Sequence, residues 1–201
     1  MMQCLYGIPV YPGAMDQLVE LSKSIKIVLM IDSQDHIDML QDFARNNPSA
    51  PQQWHVYIKV DTGYHRAGVM TTSPSLRKLI DQAGASSAIL IDGFYCHAGH
   101  SYKAQNAEEA AAVLQSEVEG VVAAASNLPA DLPIMVSFGS TPAAHVVQSL
   151  VAKNPSNVKL ELHAGVHTHY TGYIYELIKR IKKNKKATSL PTISNKSRQA
   201  L

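Results

Sequence analysis

Five apolar runs recur along this chain, and each ends in a turn rich in polar residues or glycine. They cover residues 26–32, 54–61, 88–96, 133–138 and 158–163. Runs of this kind are typical of strands that are buried on both faces of a parallel sheet. Helical patterns lie between them, so the chain alternates strand and helix. This alternation restricts the fold to the α/β class, as a doubly wound open sheet or as part of a (β/α)8 barrel.

Local capping signals support the helices between the runs. Ser73 followed by Pro74 predicts a helix start, and Gly84 predicts its end. Asn106 with Glu109 three residues later predicts a capping box at the start of a long alanine-rich helix. Thr141-Pro142 predicts a further helix start of the same kind as Ser73-Pro74. Periodicity alone does not separate the open sheet from the barrel.

Charge is unevenly distributed. Residues 176–201 contain eight of the 18 Lys and Arg residues and a single acidic residue, Glu176, so a mildly acidic body precedes a basic tail. We expect this tail to be solvated and poorly ordered, although a tail that binds nucleic acid or anionic lipid is the alternative. Two cysteines, no signal peptide and no apolar run of about 18 residues lead us to expect a cytoplasmic protein without a membrane span.

Two glycine turns at the last predicted strand ends are candidates for phosphate binding. Gly139, Ser140 and Thr141 join a strand to a helix start, where backbone N–H groups and hydroxyls favour an anion. An ordinary capped turn is the alternative for this motif taken alone. Gly165 ends the next strand, and late loops of a barrel commonly build one shared phosphate site.

The strand end around Cys96 carries two histidines, a thiol and two tyrosines. An imidazole there can stack on a pyridine ring or transfer protons near neutral pH. A metal site formed by Cys96, His97 and His100 is disfavoured because adjacent residues of a strand point to opposite faces. We therefore assign no metal ligand. A buried histidine with a purely structural hydrogen bond is the alternative.

The segment Asp61-Thr62-Gly63 ends another strand and leads into a loop with one arginine. Lys59 and Asp61 share a face of the strand, which favours a structural Lys–Asp pair. Lys59 as a Schiff-base lysine is an alternative. Arg66 is a candidate partner for a carboxylate or a phenolate, and a surface arginine is its plain interpretation.

Five motifs in order resemble the eukaryotic D-serine dehydratases of the alanine racemase N-terminal (fold type III) superfamily. They are Tyr-Gly-Ile-Pro at 6–9, Ile-Lys-Val-Asp-Thr-Gly-Tyr-His-Arg-Ala-Gly at 58–68, Gly-Phe-Tyr-Cys-His-Ala-Gly-His-Ser-Tyr at 93–102, Gly-Ser-Thr-Pro at 139–142 and Glu-Leu-His-Ala-Gly at 161–165. The resemblance implies a partial (β/α)8 TIM-type barrel that binds pyridoxal 5′-phosphate. It also implies a lyase that converts D-serine to pyruvate and ammonia.

The resemblance assigns roles to individual residues. His97 matches the residue that stacks on the pyridine ring, and His163 lies where racemases carry an arginine that faces the pyridine nitrogen. The implied phosphate contacts are Gly139, Ser140, Thr141, Gly165 and Val166. The candidates for catalysis are Tyr102, Arg66 and Lys59.

Departures from the family pattern lead us to expect a fragment. The resemblance implies a cofactor lysine on an earlier strand, and nothing upstream of Tyr6 supplies it. It also implies a C-terminal β domain with a zinc-binding His-x-Cys, which does not occur in the sequence. We expect residues 1–165 to form the partial barrel and residues 166–201 a divergent tail, and we expect the chain alone to be inactive.

Other functions stay open at this point. A D-threonine aldolase and a non-catalytic pyridoxal-phosphate-binding homeostasis protein belong to the same superfamily. For the D-serine dehydratase, the resemblance implies a small D-amino acid as substrate and a homodimer in the full-length family. We do not expect a membrane partner or a nucleic-acid partner.

Overall fold

A parallel sheet organises the part of the chain that the structure, a computed structural model, describes: residues 3–150, 155–164 and 192–193. The strands are β1 (Gln3–Pro9), β2 (Lys26–Ile31), β3 (Trp54–Asp61), β4 (Val69–Met70), β5 (Ile89–Tyr95), β6 (Ile134–Phe138), β7 (Val158–Leu162) and β8 (Thr192–Ile193). Their order is β1-β2-β3-β5-β6-β7-β8, and β4 pairs with β3. Every pairing is parallel. The sheet curls as part of a (β/α)8 barrel, which confirms the predicted partial barrel.

Helices connect the strands. They are α1 (Met15–Ser22), α2 (Gln34–Asn46), α3 (Pro74–Ala85), α4 (Ala107–Ala125) and α5 (Thr141–Val146). A 3-10 segment, Gly99–Lys103, lies between β5 and α4. Apolar side chains from one face of the strands and from the helices form a continuous core.

Alternation along β3 shows how the two faces of the sheet differ. Trp54, Val56, Ile58 and Val60 belong to the apolar core shared with the helices. The residues between them, from His55 to Asp61, face the other side, because successive side chains of a strand point to opposite faces. That second face is the interior of the curled sheet. The sheet therefore presents polar side chains on its concave side, and a barrel binds its ligand at the C-terminal ends of the strands.

The predicted strands and helix starts are largely confirmed. All five predicted strands form within two residues of their expected ends, and Ser73 and Asn106 accept hydrogen bonds from Ser75 N and Glu109 N at 3.2 and 2.9 Å. The predicted start at Thr141 is wrong by one residue, because the Ser140 side chain caps α5. β1 and α1 were not predicted.

The boundary predicted at residue 165 stays a prediction. Of residues 166–201, the structure describes only Thr192–Ile193, whose backbone pairs with β7. Within the described part of the chain, no helix combines the length and the apolar character that a membrane crossing requires.

Candidate functional site

The candidate site lies at the C-terminal ends of β3, β5, β6 and β7. Parallel strands bring these ends to one edge of the sheet, which is the edge where barrel enzymes bind their ligands. The register aligns Lys59 with Tyr95 and Tyr95 with Ser137. It also aligns Ser137 with Glu161. Residues that lie far apart in the sequence therefore form one row across the interior face.

His97 follows β5 and is held by the turn after β6. Its Nδ1 lies 2.9 Å from the carbonyl oxygen of Gly139, so Nδ1 carries the proton and donates it. Burial lowers the pKa of His97, and the nearby charges of Arg66 and Lys59 lower it further, against the opposing effect of the Gly139 bond. A neutral, oriented imidazole is suited to stacking on an aromatic ligand.

The glycine turn after β6 lies directly on the end of β7. Gly139 has a φ of +131°. A Cβ at this position would overlap the carbonyl oxygen of His163 and lie 2.8 Å from Cδ1 of Leu162. Only glycine therefore allows the backbone to approach β7 so closely.

The Ser140 hydroxyl is buried and already engaged. It accepts a hydrogen bond from Ala143 N at 3.3 Å and lies 2.7 Å from the hydroxyl of Ser101. Its residue is 1% exposed. A phosphate contact by Ser140 would therefore use its backbone N–H rather than its side chain.

Thr141 and Tyr102 meet beside this turn. The Tyr102 hydroxyl donates to Thr141 Oγ1 at 3.3 Å, and the Tyr102 side chain is otherwise exposed to solvent. The structure thus brings one candidate for catalysis next to one candidate for phosphate binding.

His163 lies at the centre of a polar row. Ser137 Oγ lies 3.1 Å from His163 Nδ1 and donates to Glu161 Oε1 at 3.0 Å. The ring of Tyr95 stacks on the His163 ring, with 4.5 Å between centroids and 7° between planes. Burial, with smaller contributions from Cys96 and Glu117, raises the pKa of Tyr95 to about 12, against the lowering effect of Arg66. Tyr95 therefore keeps its proton at neutral pH.

Lys59 and Arg66 lie at the same edge, but they differ in exposure. Lys59 is half-buried, with Nζ 5.8 Å from the centroid of Tyr95. Burial lowers the pKa of Lys59, and Arg66 lowers it further while Asp32 raises it. Arg66 is exposed and lies over the ring of Tyr64 at 5.5 Å.

The expected Lys59–Asp61 pair does not form between these two described residues. Asp61 instead accepts hydrogen bonds from Gly63 N at 2.9 Å and His65 N at 3.1 Å. Its second oxygen lies 3.0 Å from His65 Nδ1. Asp61 therefore shapes the loop that carries Arg66, because its carboxylate satisfies the N–H groups of the turn.

Gly165 and Val166, the other two predicted phosphate contacts, lie outside the described residues. Within the described ranges, no group of three His, Cys, Asp or Glu side chains is arranged to hold a metal ion. Cys96 is fully buried, and its Sγ lies 3.9 Å from the carbonyl oxygen of Ser137.

Glu117 is the main site residue that the sequence reasoning missed. It lies in α4 and is 1% exposed. Its Oε1 accepts hydrogen bonds from Ala98 N at 2.8 Å and Gly139 N at 3.3 Å. The available signal was an acidic residue in step with Leu114 and Val121 on the apolar face of the helix.

Comparison with known proteins places these features in context. Residues 6–153 match the family described as alanine racemase, N-terminal domain. The D-serine dehydratase of Schizosaccharomyces pombe is 36% identical over 168 residues, which cover 80% of this chain and 40% of that protein. The D-serine dehydratase of Dictyostelium discoideum is 32% identical over 181 residues, covering 86% of this chain and 45% of that protein.

A solved structure shows the same architecture. The D-threo-3-hydroxyaspartate dehydratase from Delftia sp. HT23 superposes with a TM-score of 0.64 at 30% identity. The match covers 81% of this chain and 41% of that protein. The chain thus spans less than half the length of each of these relatives.

Proposed function

Because the chain belongs to the alanine racemase N-terminal domain family, we propose that it forms the cofactor-binding part of a pyridoxal-phosphate-dependent D-serine dehydratase. The proposed reaction is the conversion of D-serine to pyruvate and ammonia. The observation that carries the proposal is the 2.9 Å bond between His97 and Gly139. It joins the proposed ring-stacking residue to the proposed phosphate turn. Identities of 31–36% to three D-serine dehydratases support this choice of reaction.

The residues at the strand ends fit pyridoxal phosphate. The turn at Gly139 brings a glycine backbone to the C-terminal end of the strands, against the end of β7, and His97 offers a flat, oriented ring beside it. We assign the ring to His97 and the phosphate to the turn of Gly139, Ser140 and Thr141, together with Gly165 and Val166. When bound, pyridoxal phosphate supplies an electron sink for the carbanion formed at the α-carbon of an amino acid.

His163 is proposed to face the pyridine nitrogen as a neutral acceptor. The Ser137 hydroxyl has one proton, which it donates to Glu161. Its oxygen then accepts from His163 Nδ1–H, and this fixes the tautomer in which Nε2 carries a lone pair. Racemases carry a permanently charged arginine at the position of this neutral histidine. We propose that the neutral histidine favours elimination over racemisation.

Lys59 and Tyr102 are the proposed groups for proton handling. The half-buried amine of Lys59 has a lowered pKa, so a larger fraction of it is unprotonated and able to accept a proton than in an ordinary lysine. Tyr102 lies beside the proposed phosphate turn, where its hydroxyl donates to Thr141. Arg66 is proposed to bind the carboxylate of the D-amino acid after a movement of its exposed loop. A small D-amino acid substrate and a homodimer of the full-length protein complete the proposal.

Cofactor binding can be tested with the 201-residue chain. Pyridoxine 5′-phosphate and pyridoxine serve as probes, because they lack the aldehyde that would react with the lysine-rich residues 176–201. Calorimetric titration should show a preference of tenfold or more for the phosphorylated probe, on the order of 1.4 kcal/mol. His97→Ala should weaken both probes, while exposed His145→Ala should weaken neither. Equal binding of the two probes by the unaltered chain would contradict the phosphate site.

The reaction can be tested by exchange. Residues 6–165, which include His163, would replace the matching segment of the S. pombe D-serine dehydratase. The exchanged protein should release pyruvate from D-serine, detected by coupling to lactate dehydrogenase. Glycine and acetaldehyde from D-threonine, without pyruvate from D-serine, would instead favour the aldolase. In the same protein His163→Arg should lower the ratio of elimination to racemisation, and an unchanged ratio would count against the role of His163.

A further inference from the structure

Glu117 is a buried acid that contacts both loops of the proposed site. It belongs to α4, which packs outside the sheet, and it is surrounded by apolar residues of the helix such as Leu114, Val118 and Val121. A carboxyl group in such a place is costly unless hydrogen bonds compensate its burial. The two backbone donors that bond to Oε1 provide part of that compensation.

These two donors belong to residues that the cofactor site uses. Ala98 directly follows His97, and its N–H donates to Glu117 at 2.8 Å. Gly139 begins the proposed phosphate turn, and its N–H donates to the same oxygen at 3.3 Å. One carboxylate oxygen therefore joins the loop after β5 to the loop after β6.

Both backbone polar groups of Gly139 make hydrogen bonds to side chains of the site. Its N–H bonds to Glu117 and its carbonyl oxygen accepts from His97 Nδ1. The Ala98–Glu117 bond completes a ring of contacts that returns to the residue next to His97. A displacement of the Glu117 carboxyl group would therefore change the separation between the ring-stacking residue and the phosphate turn.

We propose that Glu117 is a positioning residue, whose Oε1 sets the separation of His97 and the Gly139 turn so that one phosphorylated pyridine ligand contacts both. This inference rests on the proposed function. It assigns to α4, a helix outside the barrel interior, a part in recognising the ligand phosphate.

The surroundings of Glu117 are consistent with a phosphate nearby. Burial raises the pKa of Glu117, although the bonds from Ala98 and Gly139 oppose this. The buried Cys96 thiol lies beside it, and burial raises the pKa of that thiol as well. A carboxyl group that tends toward its neutral form repels a phosphate less than a fixed charge would.

The test uses Glu117→Gln and Glu117→Asp in the full chain. Gln keeps the length of the side chain and the Oε1 acceptor. Asp keeps the acid but shortens the reach by about 1.5 Å. The measured quantity is the ratio of dissociation constants for pyridoxine and pyridoxine 5′-phosphate. Glu119→Asp is the matched control, because Glu119 lies on the same helix but is exposed and bonds to Gln115.

Glu117→Gln should keep the ratio of the unaltered chain, while Glu117→Asp should lower it on the order of tenfold with pyridoxine binding little changed. In ¹⁵N spectra the Ala98 and Gly139 amides should lose hydrogen-exchange protection only in Glu117→Asp. A folded Glu117→Asp protein with the original ratio would overturn the inference, and so would a Glu117→Gln protein that loses it. If the unaltered chain shows no preference for the phosphorylated probe, the proposed function itself fails.

Discussion

Replacement of Gly139 by alanine tests the contact between the proposed phosphate turn and β7. The residue combines two features that disfavour any side chain. Its φ of +131° is strained for residues other than glycine. A Cβ would also overlap the backbone of His163, which donates its N–H to Phe138 O at 2.8 Å. Relief of the overlap therefore requires a shift between two bonded strand ends.

The expected loss of stability follows from these two terms. A non-glycine residue in such a backbone conformation costs about 1–3 kcal/mol. Overpacking in a well-packed region costs about 1–3 kcal/mol more. We expect Gly139→Ala to lower the free energy of unfolding by about 2–6 kcal/mol, a large part of the roughly 5–15 kcal/mol of an ordinary domain.

Two other glycines separate the terms. Gly63 has a φ of +111°, but a Cβ there would meet no atom within 4 Å. Gly63→Ala should therefore show the conformational cost alone, about 1–3 kcal/mol. Gly84 lies in the last turn of α3 without positive φ and likewise without a neighbour within 4 Å. Gly84→Ala should stabilise the protein by about 0.4–1 kcal/mol.

Urea unfolding provides the assay. Trp54 is the only tryptophan and is 1% exposed, so its fluorescence reports the loss of the core. The urea concentration at the midpoint of unfolding should be higher for Gly84→Ala than for the unaltered chain. It should be lower for Gly63→Ala and lowest for Gly139→Ala, while the slope of the unfolding free energy against urea concentration stays the same. A Gly139→Ala protein no less stable than Gly63→Ala would refute the close approach of the turn to β7.

Two further predictions use the same assay. Because burial raises the pKa of Tyr95 from 10.0 to about 12, its contribution to stability is fully present below pH 10 and is lost as the pH rises through 12. Tyr95→Phe should make the decline of the urea midpoint above pH 10 less steep, and an equal slope would contradict the burial argument. Asn106→Ala should cost about 1 kcal/mol because its side chain caps α4. Ser33→Ala should cost almost nothing, because Ser33 makes no capping bond with its side chain, and equal losses would argue against the cap.

Strands buried on both faces were predictable from the sequence, whereas β1 was not. Strand β2 is a nearly continuous apolar run, because helices cover one face and the barrel interior receives the other, and β3 has an apolar residue at every second position. β1 contains Gly7 and Pro9 and remains largely exposed at one end of the described sheet. Its sequence therefore lacks the apolar signal on which the prediction depends.

The candidate site was predictable only where its residues follow strand ends. Gly139 could be named from its turn and the resemblance, and His97 and His163 could be named from the resemblance of the motifs at their strand ends. Glu117 acts from the middle of a helix, and its partners are backbone N–H groups that leave no mark in the sequence. The Ser140 cap likewise depended on a choice between adjacent hydroxyl residues that only the backbone geometry decides.

The two-sided hold on Gly139 has an evolutionary consequence. A residue at position 117 that offers no side-chain acceptor at this distance would leave two backbone donors unpaired, and a side chain at position 139 would displace both loops at once. Single substitutions at either position should therefore be rare among functional homologues, while paired replacements that restore an acceptor should survive. We expect positions 97, 117 and 139 to covary among homologues, although they lie after two different strands and within a helix.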